Sequence, residues 1–217
     1  MQVKTWLHRL TDEQSDWFNA IKAEDEDRLT EAALYYLKDA QDWINRRSTV
    51  RIALSCSCAA NCLANMGVWS EARKLYFESA SIYVKNSEIV MSESIREALW
   101  SLQEAFENYL LAGEDHLAEV IMDRYIKLAA RTSPFSKKEQ AMKELNLRKN
   151  AIYSVIASRS AKSNTSISDK LAKEIDSFLQ ARKSLIEEPA KFDANDDVLK
   201  SINASGGSKL NEKSIVS

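Results

Sequence analysis

The sequence predicts an all-α fold: a solenoid of about three antiparallel helix pairs, with a capping helix and a partly disordered C-terminal tail. Residues that interrupt helices are scarce, since the 217 residues include only 4 Gly and 2 Pro, far below average usage. A pattern with an alanine four residues before an aromatic or long apolar side chain recurs at Ala32, Ala72 and Ala118. Its intervals of 40 and 46 residues are typical of helix-pair repeats, whose stacked copies bury each other's apolar faces.

The first helix pair is predicted between Thr11 and about Ile44. The run 11–14, Thr-Asp-Glu-Gln, has the spacing of a capping box, so we expect the first helix to begin there. The acidic run 24–27 is expected at the start of the second helix, where the helix dipole favours negative charge. Apolar side chains three or four residues apart predict that the second helix is amphipathic. They are Leu34, Leu37, Ala40 and Ile44.

Four further helices are predicted to form the second and third pairs, over about 49–66, 70–84, 87–112 and 115–131. Gly67 and Gly113 each follow the first helix of a pair. Because glycine adopts the left-handed conformation without strain, we expect each to cap the helix that it ends.

A change of composition divides the chain after the repeats. Pro134 marks a break, and a seventh helix over about 136–158 is expected to cap the solenoid, so residues 1–159 form the predicted helical repeat domain. Residues 160–217 comprise a serine-rich linker, an amphipathic helix over about 169–187 and a polar tail that we expect to be disordered.

The stretch 61–80 resembles one tetratricopeptide repeat. Gly67 occupies the turn between the two helices, Ala72 follows five residues later and Tyr76 four residues after that. The next copy keeps these spacings with methionine in the aromatic place, and the first copy has an aspartate in place of the glycine. The copies are longer than usual, which makes them similar to the extended helix pairs of the vesicle-fusion attachment proteins. The resemblance covers about residues 12–131 and implies a right-handed solenoid whose first helices form a concave face.

The resemblance also implies a function, because such concave faces hold a peptide or helix of a partner protein. The chain is therefore expected to be a non-enzymatic adaptor or scaffold whose partner is another protein. Carried over position by position, the residues implied to contact the partner are Trp17, Ile21, Asn61, Asn65, Trp100, Gln103 and Glu107.

The distribution of charge leaves an alternative open. The net charge is −2, yet residues 123–160 carry 9 Lys or Arg against 3 Asp or Glu. These cations are either ordinary solvated side chains or a basic patch for RNA, anionic lipid or an acidic partner. The patch comprises Arg124, Lys127, Arg131, Lys137, Lys138, Lys143, Arg148 and Lys149. A third hypothesis is a structural homo-oligomer, joined through the helix over about 169–187.

No residue pattern points to catalysis, a cofactor or a metal. Cys56, Cys58 and Cys62 are the only cysteines, and on one helix their directions do not converge on a tetrahedral ion, so we interpret them as packing residues. His8 and His116 lie in no ligand or nucleophile motif. No apolar run reaches the roughly 18–20 residues of a membrane span, and the first residues are too polar for a secretory signal. We therefore expect a cytoplasmic protein without enzymatic activity.

Overall fold

The computed structural model describes residues 15–132, 138–160 and 167–187. Within these ranges the chain forms eight α-helices and no strand, so the all-α prediction is confirmed. The helices are α1 Asp16–Asp25, α2 Leu29–Asn45, α3 Thr49–Asn65, α4 Trp69–Val90, α5 Ile95–Ala112, α6 Asp115–Thr132, α7 Lys138–Ser160 and α8 Asp169–Glu187.

The helices pack mainly on their neighbours in the chain. Each helix from α1 to α5 contacts the next helix in the chain, as short connecting turns require. The last two helices depart from this order. α7 contacts both α5 and α6, whereas α8 returns to the start of the array and packs on α2.

Four turns share one geometry. Asp27, Arg47, Gly67 and Gly113 all have positive φ, between 56° and 85°. In each turn the amide that follows donates a hydrogen bond to the carbonyl five residues earlier, over 2.8–3.2 Å, which is the Schellman arrangement. The first three of these residues lie 20 positions apart. The repeating unit in this part of the chain is therefore one 17-residue helix and a three-residue turn.

The marker residues of the sequence pattern lie in the core. Ala32, Ala72 and Ala118 have no exposed surface, and the aromatic rings of Tyr36 and Tyr76 are buried as well. A methyl side chain at each marker position lets neighbouring helices approach closely. The three marker alanines are thus equivalent in burial and in the turn that precedes them, whereas Met122, the counterpart of the two tyrosines, is only half-buried.

The start of the first pair differs from the prediction. Ser15 is the N-cap of α1 and accepts a hydrogen bond from the Phe18 amide over 3.2 Å. The predicted cap at Thr11 lies outside the described residues. The placement of the acidic run 24–27 was wrong, because α1 continues to Asp25 and α2 begins only at Leu29. Asp27 takes the left-handed turn position instead.

The predicted boundary between the fourth and fifth helices was also wrong. α4 continues to Val90, and α5 begins at Ile95. A buried polar contact lies in the predicted gap: the Asn86 amide donates to Ser101 Oγ over 2.9 Å, and its oxygen accepts from the Thr49 hydroxyl over 2.6 Å. This side chain links α3, α4 and α5 and so holds α4 in place where a turn was predicted.

α8 has the bounds that its apolar pattern predicted, and three of its apolar side chains are buried. Leu171, Ile175 and Phe178 have at most 3% of their surface exposed. Near its end, Arg182 forms an ion pair with Glu78 of α4 over 2.5 Å. α8 therefore contacts both α2 and α4. Residues 161–166 of the predicted linker lie outside the described residues, as does the tail that was predicted to be disordered.

Candidate functional site

Trp100 is a large aromatic side chain that α5 presents to solvent. Its indole is 39% exposed, and it lies edge to face with the buried Tyr83 ring, with the ring centroids 5.5 Å apart. Gln103 and Glu107 follow on the same side of α5, both half-buried, with Gln103 Nε2 3.5 Å from Glu107 Oε1. The structure thus brings these three predicted contact residues together.

The Arg148 side chain of α7 lies next to Glu107, at one end of this surface. Its guanidinium extends from α7 and donates to Glu107 Oε1 over 2.7 Å, with a second carboxylate, that of Glu144, 3.7 Å away. A salt bridge between two partly exposed side chains stabilises the fold only modestly. Its effect here is positional, because it fixes α7 beside the face of α5.

Glu104 lies between these groups without such a partner. Within the described residues its carboxylate has neither a hydrogen bond nor a cation within 4 Å. Burial raises the pKa of Glu104, the like charge of Glu107 raises it further, and Arg148 partly opposes both. The sequence interpretation missed Glu104 as a site residue, although its position four residues after Trp100 puts both on one helix face.

The Tyr83 hydroxyl is the second polar group at this place without a partner. The residue has no exposed surface, and no group of the described residues forms a hydrogen bond with its oxygen. Burial, followed by the nearby Glu104 carboxylate, raises the pKa of Tyr83. The phenol is therefore neutral, and its oxygen can accept a hydrogen bond. Sequence patterns alone gave no signal for this residue.

The predicted contacts on α3, Asn61 and Asn65, follow Cys58 on the same face of that helix. Burial, and after it the Glu24 carboxylate of α1, raises the pKa of Cys58 on α3 to about 12, and Glu104 of α5 adds to the effect. The thiol thus lies near carboxylates of the helices on either side. Asn61, one turn further along α3, is half-buried and accepts a hydrogen bond from the Tyr76 hydroxyl over 2.7 Å. Asn65 is half-buried too.

Trp17 is half-buried and contacts other side chains of the fold. The Arg51 guanidinium lies 4.3 Å from the centre of its ring and 5.4 Å from that of Trp43. The same guanidinium is 3.3 Å from the Asp39 carboxylate. The Trp17 ring also contacts Tyr36 edge-on, so it is engaged within the fold. Its neighbour Ile21 is exposed.

Much of the predicted basic patch is neutralised by carboxylates of the chain itself. Four of its eight cations form ion pairs, at distances from 2.5 to 3.6 Å. They are Arg124, Lys127, Arg148 and Lys149. Arg131 and Lys143 are exposed, and no carboxylate of the described residues lies within 4 Å of either. The side chains of Lys137 and Lys138 lie outside the described part of the chain.

The three cysteines are free and take part in packing. Cys56 and Cys62 are buried, and Cys58 is half-buried. Burial raises the pKa of each thiol, to about 12 for Cys62, so they are protonated at neutral pH. In the three described ranges no three His, Cys, Asp or Glu side chains are grouped so that they could hold a metal ion.

Comparisons with known proteins give no relative. No protein-family model matches the chain, and the searches of curated proteins and of solved structures find no match either. Among the described helices, none is both long enough and apolar enough to cross a membrane.

Proposed function

We propose that the chain is a non-enzymatic adaptor that binds a peptide or helix of another protein. The binding surface is the side of the array that carries Glu24, Cys58 and Trp100, which is the concave groove of a right-handed solenoid. The observation that carries this proposal is the exposed indole of Trp100, anchored on a buried ring. Tryptophan is enriched among the residues that dominate binding energy at protein interfaces.

The surroundings of Trp100 support this function. Gln103 and Glu107 on α5, and Asn61 and Asn65 on α3, supply half-buried polar groups around it. An aromatic anchor within a polar rim is the usual composition of a protein-binding surface. The ion pairs of the basic patch favour this function over the alternative, RNA or anionic lipid binding, because paired cations contribute less to phosphate binding. Self-association through α8 is disfavoured as well, since Leu171, Ile175 and Phe178 are buried within one chain.

The test is Trp100→Ala in the full chain. A random dodecapeptide library displayed on phage is selected against the wild-type protein, and the affinity of the best peptide is measured for both proteins. We expect the substitution to cost about 2 kcal/mol of binding, with an unchanged circular dichroism spectrum. Val120→Ala is the matched control, because Val120 is an exposed apolar residue of α6. Equal losses in the two variants, or unfolding of Trp100→Ala, would contradict the proposal.

A further inference from the structure

We infer that the surface of α2 and α4 beneath α8 is a second protein-binding site, which α8 occupies in cis and from which a partner helix displaces it. The partner helix carries the anchors that α8 itself presents: apolar side chains at positions i, i+4 and i+7 and an arginine at i+11. This site contains none of the residues proposed to bind a partner around Trp100, so it is separate from the proposed function.

α8 binds the other helices as an amphipathic helix binds a groove. Its anchors lie within about 60° of one another around the helix axis; they are Leu171, Ile175, Phe178 and Arg182. The three apolar anchors have at most 3% of their surface exposed, and the side chain of the fourth is 17% exposed. The opposite face carries exposed polar side chains such as Lys173 and Asp176. Anchors at this spacing are the pattern by which grooves recognise helices.

α8 is an addition to the stacked helices rather than one of their units. Each helix from α1 to α5 packs on the next in the chain, whereas α8 packs chiefly on α2 and not on α7, the helix before it. Residues 161–168 join it to α7. Departure of α8 therefore leaves the contacts between successive helices from α1 to α6 in place and uncovers a surface of α2 and α4.

Glu78 of α4 determines what can take the place of α8. Its side chain is only 10% exposed, and its carboxylate lies 2.5 Å from the Arg182 guanidinium. Burial raises the pKa of Glu78, and Arg182 opposes that rise. A helix without a cation at this position would bury the carboxylate uncompensated, which is strongly unfavourable. Glu78 thus selects helices that bring an arginine at i+11.

The attachment of α8 leaves room for a stronger ligand. Glu78 Oε2 and Arg182 Nε are both buried, and neither has a hydrogen-bond partner among the described residues, so the two groups meet as charges without an aligned hydrogen bond. An aligned, bidentate contact between guanidinium and carboxylate is stronger. As a tethered ligand, α8 competes at an effective concentration on the order of millimolar. A partner helix with a better aligned arginine overcomes this competition.

The test uses a fluorescein-labelled synthetic peptide of residues 167–187 and the full chain, with binding measured by fluorescence polarisation. Arg182→Met in the chain weakens the docking of its own α8 and leaves Glu78 in place. We expect the peptide to bind the Arg182→Met chain at least about tenfold more tightly than wild type, because its competitor is weakened. The same peptide with Arg182→Met should bind that chain at least about tenfold more weakly, because it brings no cation to Glu78.

Three further variants serve as controls. The Lys183→Met chain, changed at an exposed neighbour on α8, should bind the peptide as wild type does. Phe178→Ala in the chain weakens α8 without leaving a buried charge and should tighten peptide binding as well, which keeps the test valid if Arg182→Met does not fold. A designed helix that keeps only the four anchors, with alanine, lysine and glutamate elsewhere, represents the partner and should bind within about threefold of the native peptide.

Amide hydrogen exchange shows where the designed helix binds. At saturation, α8 of the wild-type chain should exchange faster while α2 stays protected. Binding that leaves the exchange of α8 unchanged would overturn the inference, as would equal or undetectable peptide affinity in wild type, Arg182→Met and Phe178→Ala. Failure of the designed helix to bind would overturn it too. A doubled mass of the wild-type chain in light scattering that Phe178→Ala abolishes would do the same, since the second occupant would then be another copy of the chain.

Discussion

Replacing Arg182 by methionine should weaken the attachment of α8. Arg182 and Glu78 are 2.5 Å apart, and their side chains are only 17% and 10% exposed. Arg182→Met keeps much of the apolar length of the side chain but leaves the Glu78 carboxylate buried without a cation. Removing one partner of a buried ion pair costs about 3 kcal/mol or more. If the packing of α8 on the other helices contributes less free energy than this cost, the substitution detaches α8 and leaves the other helices folded.

The stability that Arg182→Met loses relative to wild type should depend on pH. Burial raises the pKa of Glu78, and Arg182 opposes that rise, so the pKa should rise further in Arg182→Met. A carboxyl group whose pKa is higher in the folded than in the unfolded chain takes up a proton on folding between the two values. Stability therefore falls as pH increases through that window. The deficit of Arg182→Met should be smaller at pH 5 than at pH 8.

Two measurements together test this reasoning: urea unfolding followed by circular dichroism, and amide hydrogen exchange of α8 and α2. Lys183→Met is the control, since Lys183 is an exposed neighbour on α8 and should shift stability by no more than about 0.5 kcal/mol. Adding Glu78→Gln to Arg182→Met should restore most of the loss, because no charge then stays buried. An unchanged urea midpoint with unchanged exchange in Arg182→Met would refute the argument. So would an equal loss at both pH values.

Three further predictions concern the turns, the core and the thiols. Gly113→Ala should destabilise the fold by about 1 kcal/mol, and Asp27→Gly should stabilise it by a similar amount, because the backbone is left-handed at both positions. If the urea midpoints of the two variants shift in the same direction, this prediction is contradicted. Asn86→Leu should cost about 2 kcal/mol of unfolding free energy, because it leaves the hydroxyls on α3 and α5 without their buried partner; a thermal melt that matches wild type would count against it. The thiols of Cys58 and Cys62, with pKa raised to about 12, should react with iodoacetamide at pH 8 on the order of a thousandfold more slowly in the native protein than in urea; rapid native labelling would disprove their burial.

Features encoded by local patterns could be predicted from the sequence. The apolar spacing of α8 gave its bounds, and Gly67 and Gly113 marked two of the turns, because periodicity and glycine act within a few residues. The resemblance to tetratricopeptide repeats implied an inner-face position for Trp100, and the residue is indeed exposed on α5. Its role in binding remains a prediction.

Features that depend on distant partners could not be predicted. α4 runs through Asn86, whose side chain bonds to Thr49, 37 residues earlier. The contact between Trp17 and Arg51 of α3 has no local signal in the sequence either. The left-handed turn at Arg47 has no glycine to mark it, although it lies midway between Asp27 and Gly67. The signal for this turn was the 20-residue interval between left-handed turn positions. The alanine pattern recurs only after 40 residues, which spans two such turns, so it did not indicate the turn at Arg47.

The return of α8 to α2 has a kinetic consequence. Linear arrays of repeats fold and unravel from their ends, because each unit touches only its neighbours. Here the last described helix rests on the second, with more than a hundred residues of chain between them. Such a contact closes a long loop, so it should form late and slowly. Once formed, it prevents the first hairpin from fraying alone, and the array should melt as one cooperative unit.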